Sequence, residues 1–259
     1  LTFEKTGNKI KSGRNMYGST PSGSMGRLLQ EGDFMEKETA IYVEDVSKTY
    51  QNGEVPVPVL NHVSFTVQAG ELLAVTGDSG SGKTTLMNLL GALDTPDSGR
   101  IIIGRQVISN MSQHQRTLYR RNSLGFIYQD FNLIQVLNVY ENIVLPLQLG
   151  KKKIEEKKID FMLEKLRLLD KKYALPSQLS GGEQQRVAVI RALIHNPALI
   201  LADEPTGNLD SRNTAMVVRL MQALCRKMNR TTIMVTHNMQ IARLCDRVIQ
   251  IRDGRVAAS

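Results

Sequence analysis

The chain of 259 residues carries 33 Lys and Arg against 25 Asp and Glu, a formal net charge of +8, and is 41% hydrophobic. That is enough to bury the core of one large α/β domain or two small ones, and it excludes a chain dominated by disorder or dependent on disulfide staples. No apolar run approaches the ~18 residues of a membrane span, so a membrane role has to come through a partner.

Residues 1–37 are rich in Gly, Ser and polar side chains and lack the apolar core of a signal peptide. They are read as a disordered extension or residues left from expression, with Met25 and Met35 both available as starts. From Ala40 the pattern becomes strand-like. Ile41 to Val46 and Val63 to Val67 alternate apolar and polar residues, while Asn52, Gly53, Pro56 and Pro58 mark turns between them. Ile101 to Ile103 supplies a third strand, and together these predict a small antiparallel sheet. Tyr50, at the end of the first strand, is either an ordinary edge-strand aromatic or a face for a nucleotide base.

Between those strands lies the most specific stretch. Leu72 to Thr76 reads as a buried strand, and Leu86, Leu89, Leu90 and Leu93 recur at helical spacing. The segment between, Gly77, Asp78, Ser79, Gly80, Ser81, Gly82, Lys83, Thr84 and Thr85, fits G-x-x-x-x-G-K-[ST] in the strand–loop–helix setting that a P-loop requires. Glycines let successive N–H groups curl around a phosphate chain, and the following helix points its positive end at the same anion. Lys83 is expected to reach the β and γ phosphates of a nucleoside triphosphate, and the Thr84 hydroxyl to coordinate Mg²⁺.

Further along, Leu124 to Tyr128 predicts a strand ending at Gln129, a polar amide where open α/β sheets bind ligands. Residues 131–178 read as a helical insertion, with helices at Val139 to Leu149 and Ile154 to Leu169. In the second, Ile159, Met162, Leu163, Leu166 and Leu169 form an apolar stripe of core type. The basic residues are spread along the chain without an aromatic-interleaved motif, so no nucleic-acid partner is expected. Their densest group, Lys151 to Lys153 with Lys157, Lys158, Lys171 and Lys172, is read as a solvated face, with attraction to an anionic membrane as a second option.

The run Leu179 to Gln184 opens a helix over Gln185 to His195. Ser180 and Glu183 have capping-box spacing, with Gly181 and Gly182 between them. The segment is either simply capped or a second anion-binding helix end. Leu199 to Ala202 is a buried strand leading to Asp203 and Glu204, adjacent carboxylates that call for a cation or a reacting proton. Thr231 to Thr236 is another strand, followed at once by His237. Val248 to Ile251, the turn at Asp253-Gly254 and Arg255-Val256 form a closing hairpin. Cys225 and Cys245 have neither metal spacing nor a redox pair and suit a reducing cytoplasm.

Taken together, GDSGSGKTT, Gln129, LSGGEQQR, LILADEPT followed by Asn208-Leu-Asp210, and Thr236-His237 resemble the nucleotide-binding subunit of an ATP-binding cassette (ABC) transporter, over Glu38 to Ala257. The resemblance implies an α/β P-loop NTPase with a RecA-like core, a small antiparallel β-subdomain (the two at 38–129 and 186–257) and an inserted α-helical subdomain at 130–185. It implies ATP and Mg²⁺ as ligands, and a nucleotide-dependent homodimer in which each ATP lies between one P-loop and the other copy's Ser180, Gly181, Gly182 and Glu183. Within that scheme Tyr50 stacks on adenine. Thr84, Gln129 and Asp203 face Mg²⁺, Glu204 is the general base, and His237 senses the γ-phosphate. Asp210 joins the two sites.

The phrases GALDTPDSG, FNLIQVLNVYENIVLPL and LILADEPTGNLDS are similar to the macrolide-exporter and lipoprotein-release group, which implies an ATPase on the cytoplasmic face of the membrane. There it would drive a permease of the FtsX/MacB type in export or extracytoplasmic extraction, gripping it through Phe131 to Leu147. A second reading is a regulatory ATPase that signals through a transmembrane partner to cell-wall enzymes. A DNA-repair or translational type would need a long coiled-coil insertion or a second cassette. Three positions depart from the family pattern: Glu183 for Gln, Asp78 for Pro and Asn238 for Asp. The first would repel a phosphate unless its side chain folds back onto its own helix cap.

Overall fold

The computed structural model describes residues 39–208 and 211–257. The extension at 1–37, Asp210 and the side chain of Cys225 lie outside the described residues.

The domain opens with two long antiparallel strands, β1 (Thr39–Asn52) and β2 (Val55–Gln68), which turn at Gly53 with a φ of 62°. Both run past the alternating segments. Tyr50 pairs with Val57 and Thr49 with Pro58, prolines being tolerated because β2 is the edge of its sheet. Then follow β3 (Leu72–Thr76), α1 (Lys83–Leu90), β4 (Ser98–Ile103) and β5 (Gln106–Val107). Helix α2 (Gln113–Ser123) and β6 (Leu124–Ile127) come next. No apolar stripe announces α2, which buries Tyr119 and starts at a capping box of Ser112 and Gln115.

Helix α3 (Val139–Leu149) has the bounds predicted for it. The next, α4 (Glu156–Lys165), is shorter than predicted, because the chain leaves helical geometry at Arg167 with a φ of 54°. Ile159, Met162, Leu163 and Leu166 are buried accordingly, whereas Leu169 falls in a separate 3₁₀ turn and is 45% exposed. The remaining elements are α5 (Gly181–Leu193), β7 (Leu199–Asp203), α6 (Ser211–Met228) and β8 (Thr231–Val235). A short α7 (Met239–Ala242) and the hairpin β9 (Arg247–Arg252) with β10 (Arg255–Val256) complete the fold.

The strands form two sheets, an antiparallel one ordered β2-β1-β4-β5 and a six-stranded one ordered β10-β9-β3-β8-β7-β6. In the second, β6, β7, β8, β3 and β9 are mutually parallel. Every residue of β3 and β8 is buried, as in a sheet covered on both faces. Alternate residues feed two cores. Leu73, Val75, Leu201 and Ile233 pack with α1 and the antiparallel sheet, while Leu72, Ile200, Ala202 and Met234 pack with α3, α4, α5 and α6.

The lysine group is not simply a solvated face. Lys152 Nζ donates to His195 O (2.8 Å) and Lys158 Nζ to Ile194 O (3.1 Å), placing two cations on the carbonyl end of α5. Lys172 bridges Asp160 (2.7 Å) and Glu156 (3.2 Å).

Candidate active site

Parallel pairing brings the chemistry-bearing residues to one end of the large sheet. Val75 and Asp203 both lie level with Val235, and Ala202 with Ile127. The loops that leave β3, β7, β8 and β6 therefore start with Gly77, Glu204, Thr236 and Tyr128-Gln129 at the carboxyl edge, where α/β sheets take ligands.

Loop 77–85 is shaped by close packing. A Cβ on Gly77 (φ 149°) would sit 2.1 Å from Ile251 O, and one on Gly82 (φ 105°) 2.7 Å from Val59 O. Only glycine lets the loop approach β9 and β2 so closely. Asp78, Ser79, Gly80 and Thr84 are exposed, while Ser81 and Thr85 are buried. Gly82 precedes helix α1 as its N-cap, with no side-chain cap and no acidic residue in the first turn, so the helix's positive end stays open to an anion. Lys83 Nζ reaches back to Gly77 O (2.9 Å), Asp78 O (2.6 Å) and Ser81 Oγ (3.4 Å), a span across the loop's mouth.

Tyr50 lies beside the same helix. Its hydroxyl donates to Asp94 Oδ2 (2.8 Å) and lies beside the Thr85 side chain, and the residue is 37% exposed. Lys48 Nζ is 5.2 Å from the ring centroid and is held by Asp94 (3.1 Å), Asp97 (3.4 Å) and Thr95 O (2.7 Å). Sequence reading overlooked Lys48 and Asp94, which lie 46 residues apart and meet only once β1 is longer than its alternating segment.

At the end of β7 Asp203 is half-buried. Desolvation, and then the neighbouring Glu204, push its carboxyl above the usual range, with Lys83 pulling it back. Glu204 has a φ of 43°, an uncommon conformation for a side chain of its kind. It is held by bonds from Glu204 N to Val235 O (3.0 Å) and from Gly207 N to Glu204 O (3.0 Å). Its Oε2 lies 2.6 Å from His237 Nδ1, and a cavity of about 430 Å³ opens beside the pair.

Gln129 is exposed and latched to Asn208: its Nε2 is 3.5 Å from Asn208 Oδ1, while Asn208 Nδ2 donates to Gln129 O (3.3 Å) and Asp130 Oδ1 (2.9 Å). Asn208 belonged to the motif that suggested the family, but nothing in its spacing pointed to this contact.

Ser180 caps α5, which starts at Gly181 rather than Gln185. The Glu183 carboxylate does fold back onto that cap. Its Oε2 accepts from Ser180 N (2.7 Å) and Ser180 Oγ (2.9 Å), and these bonds, the backbone one first, hold its carboxyl below the usual range. Among the described residues, no hydrogen bond or ion pair joins Ser180, Gly181, Gly182 or Glu183 to loop 77–85. The structure thus brings the loop, with Tyr50 beside its Thr85, together with Asp203, Glu204 and His237, and among the described residues no hydrogen bond or ion pair ties the Ser180 cap to them.

Among the described residues no group of three or more His, Cys, Asp or Glu is placed to hold a metal. The oxygens of Thr84, Asp203 and Gln129 are nonetheless hard donors of the kind Mg²⁺ takes when substrate phosphates complete its shell.

Fold and loop together define a P-loop nucleoside triphosphatase. The ABC transporter family matches residues 60–207. Among solved structures, the ATP-binding cassette MJ0796 as a dimeric post-hydrolysis state with ADP and Pi aligns with a TM-score of 0.76 and 36% identity, covering 84% of this chain and 97% of that one. A second dimeric structure of MJ0796, described as a bacterial ABC transporter cassette, aligns with a TM-score of 0.76 and 38% identity over the same shares. The chain belongs to the ABC transporter family and is its ATPase cassette.

Proposed function

We propose that two copies of this chain close face to face on two ATP molecules and drive a membrane permease of the FtsX/MacB type from the cytoplasmic face, in export or extracytoplasmic extraction. The observation that carries the reading is the meeting of the Lys83 loop, Asp203, Glu204 and His237 at one sheet end with no hydrogen bond or ion pair, among the described residues, from the Ser180 cap, a half-site that a second copy would complete. Both MJ0796 structures being dimers, one with ADP and Pi, supports it.

In this scheme Tyr50 stacks on adenine, and the backbone and side chains of residues 77–85 hold the phosphates. Thr84, Asp203 and Gln129 would hold Mg²⁺, which when bound neutralises phosphate charge. Glu204 takes a proton from water as the water oxygen bonds to the γ-phosphorus, and the bond to the β–γ bridging oxygen breaks to leave ADP and phosphate. His237, 2.6 Å from Glu204, orients that carboxylate and meets the γ-phosphate. The partner copy's Ser180 and glycines cover the same phosphate, and Asp210 links the two sites.

For the permease, no helix among the described residues is long and apolar enough to cross a membrane. Just past Gln129, Leu133, Val139, Ile143, Val144 and Leu147 are buried, but Ile134 (40%) and Val136 (82%) are exposed. Val139 N donates to Ala174 O and Tyr140 N to Lys172 O, so exposed Tyr173 and Leu175 run alongside and extend an apolar surface for a coupling helix. Glu204→Gln tests the reading. It should bind ATP, lose turnover and accumulate as an ATP-bound dimer, whereas normal hydrolysis would remove Glu204 as the base.

A further inference from the structure

Gln185 has no role in the scheme above, yet it is fully buried, at 0% exposure, four residues into α5. Its Nε2 donates to Pro205 O at 2.5 Å, and its Oε1 has no hydrogen-bond partner among the described residues. Burying an amide oxygen without a donor is a cost that an unbranched apolar side chain of similar length avoids. What the amide adds is its grip on Pro205, the residue after Glu204. Glu204 is the residue held at a φ of 43°, a conformation that persists only where surrounding contacts over-determine it. Two of those contacts come from the strand and turn at Val235 and Gly207; the Gln185–Pro205 bond comes from α5.

We propose that Gln185 is a positioning residue for the general base, fixing the backbone turn of Glu204 through Pro205 O. It thereby passes the state of the Ser180 cap to this subunit's own Glu204. Ser180 and Gln185 are about one and a half helical turns apart, about 7.5 Å along a rigid axis. A shift of the cap on clasping the partner's nucleotide therefore reaches Pro205 directly. The proposal rests on the roles given above to Glu204 and Ser180.

The test is Gln185→Met in the full chain, measured for ATP turnover, nucleotide affinity and melting temperature. Loss of the amide's grip should lower kcat about 10- to 100-fold, the scale of an ångström-sized misplacement. Affinity should stay within about twofold and the melting temperature unchanged or raised, since the unpartnered oxygen is gone. A structural role alone predicts the reverse, a lowered melting temperature with kcat retained in the folded fraction, and that result would overturn the proposal, as would failure of the variant to fold. Glu204→Gln is the paired control. If it is inactive while Gln185→Met turns over at the parental rate, only the Gln185 proposal fails; if Glu204→Gln hydrolyses normally, the base assignment fails and takes the proposal with it.

Discussion

Glu183→Gln should make ATP-driven pairing of two copies tighter without weakening the fold. The Ser180 hydroxyl donates to the ionised Glu183 carboxylate at 2.9 Å, so it must leave that acceptor before it can serve another copy's terminal phosphate. A hydrogen bond to a charged group is worth about 1.5–3 kcal/mol and one to a neutral amide about 0.5–1.5 kcal/mol. Because Glu183 is only partly buried, the low ends apply, and releasing the hydroxyl costs about 1 kcal/mol more with Glu than with Gln. A closed pair has two such caps, which gives about 2 kcal/mol, or about 30-fold in the dimerisation equilibrium. Repulsion between carboxylate and phosphate acts in the same direction. A glutamine oxygen still accepts from Ser180 N, so the capping box survives and the melting temperature should stay within about 2 °C. The assay is an ATP titration followed by sedimentation velocity, with Glu204→Gln in both proteins to suppress turnover. Equal or weaker dimerisation of the Glu183→Gln protein would refute the idea that the folded-back carboxylate restrains closure.

Two further substitutions probe the rest of the site. Burial pushes the Asp94 carboxyl up, but the bonds from Thr95 N, the Tyr50 hydroxyl and Lys48 outweigh it and hold the group below its usual range. A lowered folded value contributes stability that is present above the unfolded pKa and lost as pH falls through the folded one. Asp94→Asn should therefore cost about 1 kcal/mol at pH 7, with the gap to the parent closing below about pH 4, as read by chemical denaturation. It should also weaken ATP more than inorganic triphosphate, which has no base for Tyr50 to stack on; equal losses for both ligands would detach Asp94 from base recognition. A Cβ at Gly207 would lie 2.9 Å from Gln129 Nε2 and 3.2 Å from its Cγ, and Gly207 does not need a positive φ. Gly207→Ala should displace the Gln129 side chain and lower turnover about tenfold with ATP affinity and folding intact. Parental turnover would show that Gln129 tolerates displacement.

What could be read in advance was whatever is local in the chain. The Gly77–Thr85 loop, the capping box at Ser180 and the bounds of α3 each depend on residues a few positions apart, and each can be seen in a linear string. Long-range contacts could not be. The Tyr50–Asp94 bond spans 44 residues, the Gln129–Asn208 pair 79, and the Gln185–Pro205 bond joins two motifs 20 residues apart that had looked self-sufficient. Helix α2 stayed hidden for another reason: it buries Tyr119 alone, so it has no apolar period to detect. The lysine group misled because composition does not distinguish a lysine in water from one capping helix carbonyls, as Lys152 and Lys158 do.

The backbone at Glu204 joins these threads. A carboxylate that takes a proton from water, the role proposed for Glu204, gains by being fixed before the nucleotide arrives, since reorganisation during the reaction adds to the barrier. Here the fixing comes from three directions: Val235 behind it, Gly207 ahead of it and, through Pro205, the helix that begins at Ser180. The last leads to the Ser180 cap, one of the surfaces that would change its surroundings when two copies meet as proposed. A base held by the neighbouring strand β8 and its own turn alone would lack a route from the Ser180 cap. One held in part by α5 can be made ready by closure, which ties hydrolysis to the paired state that would move a permease.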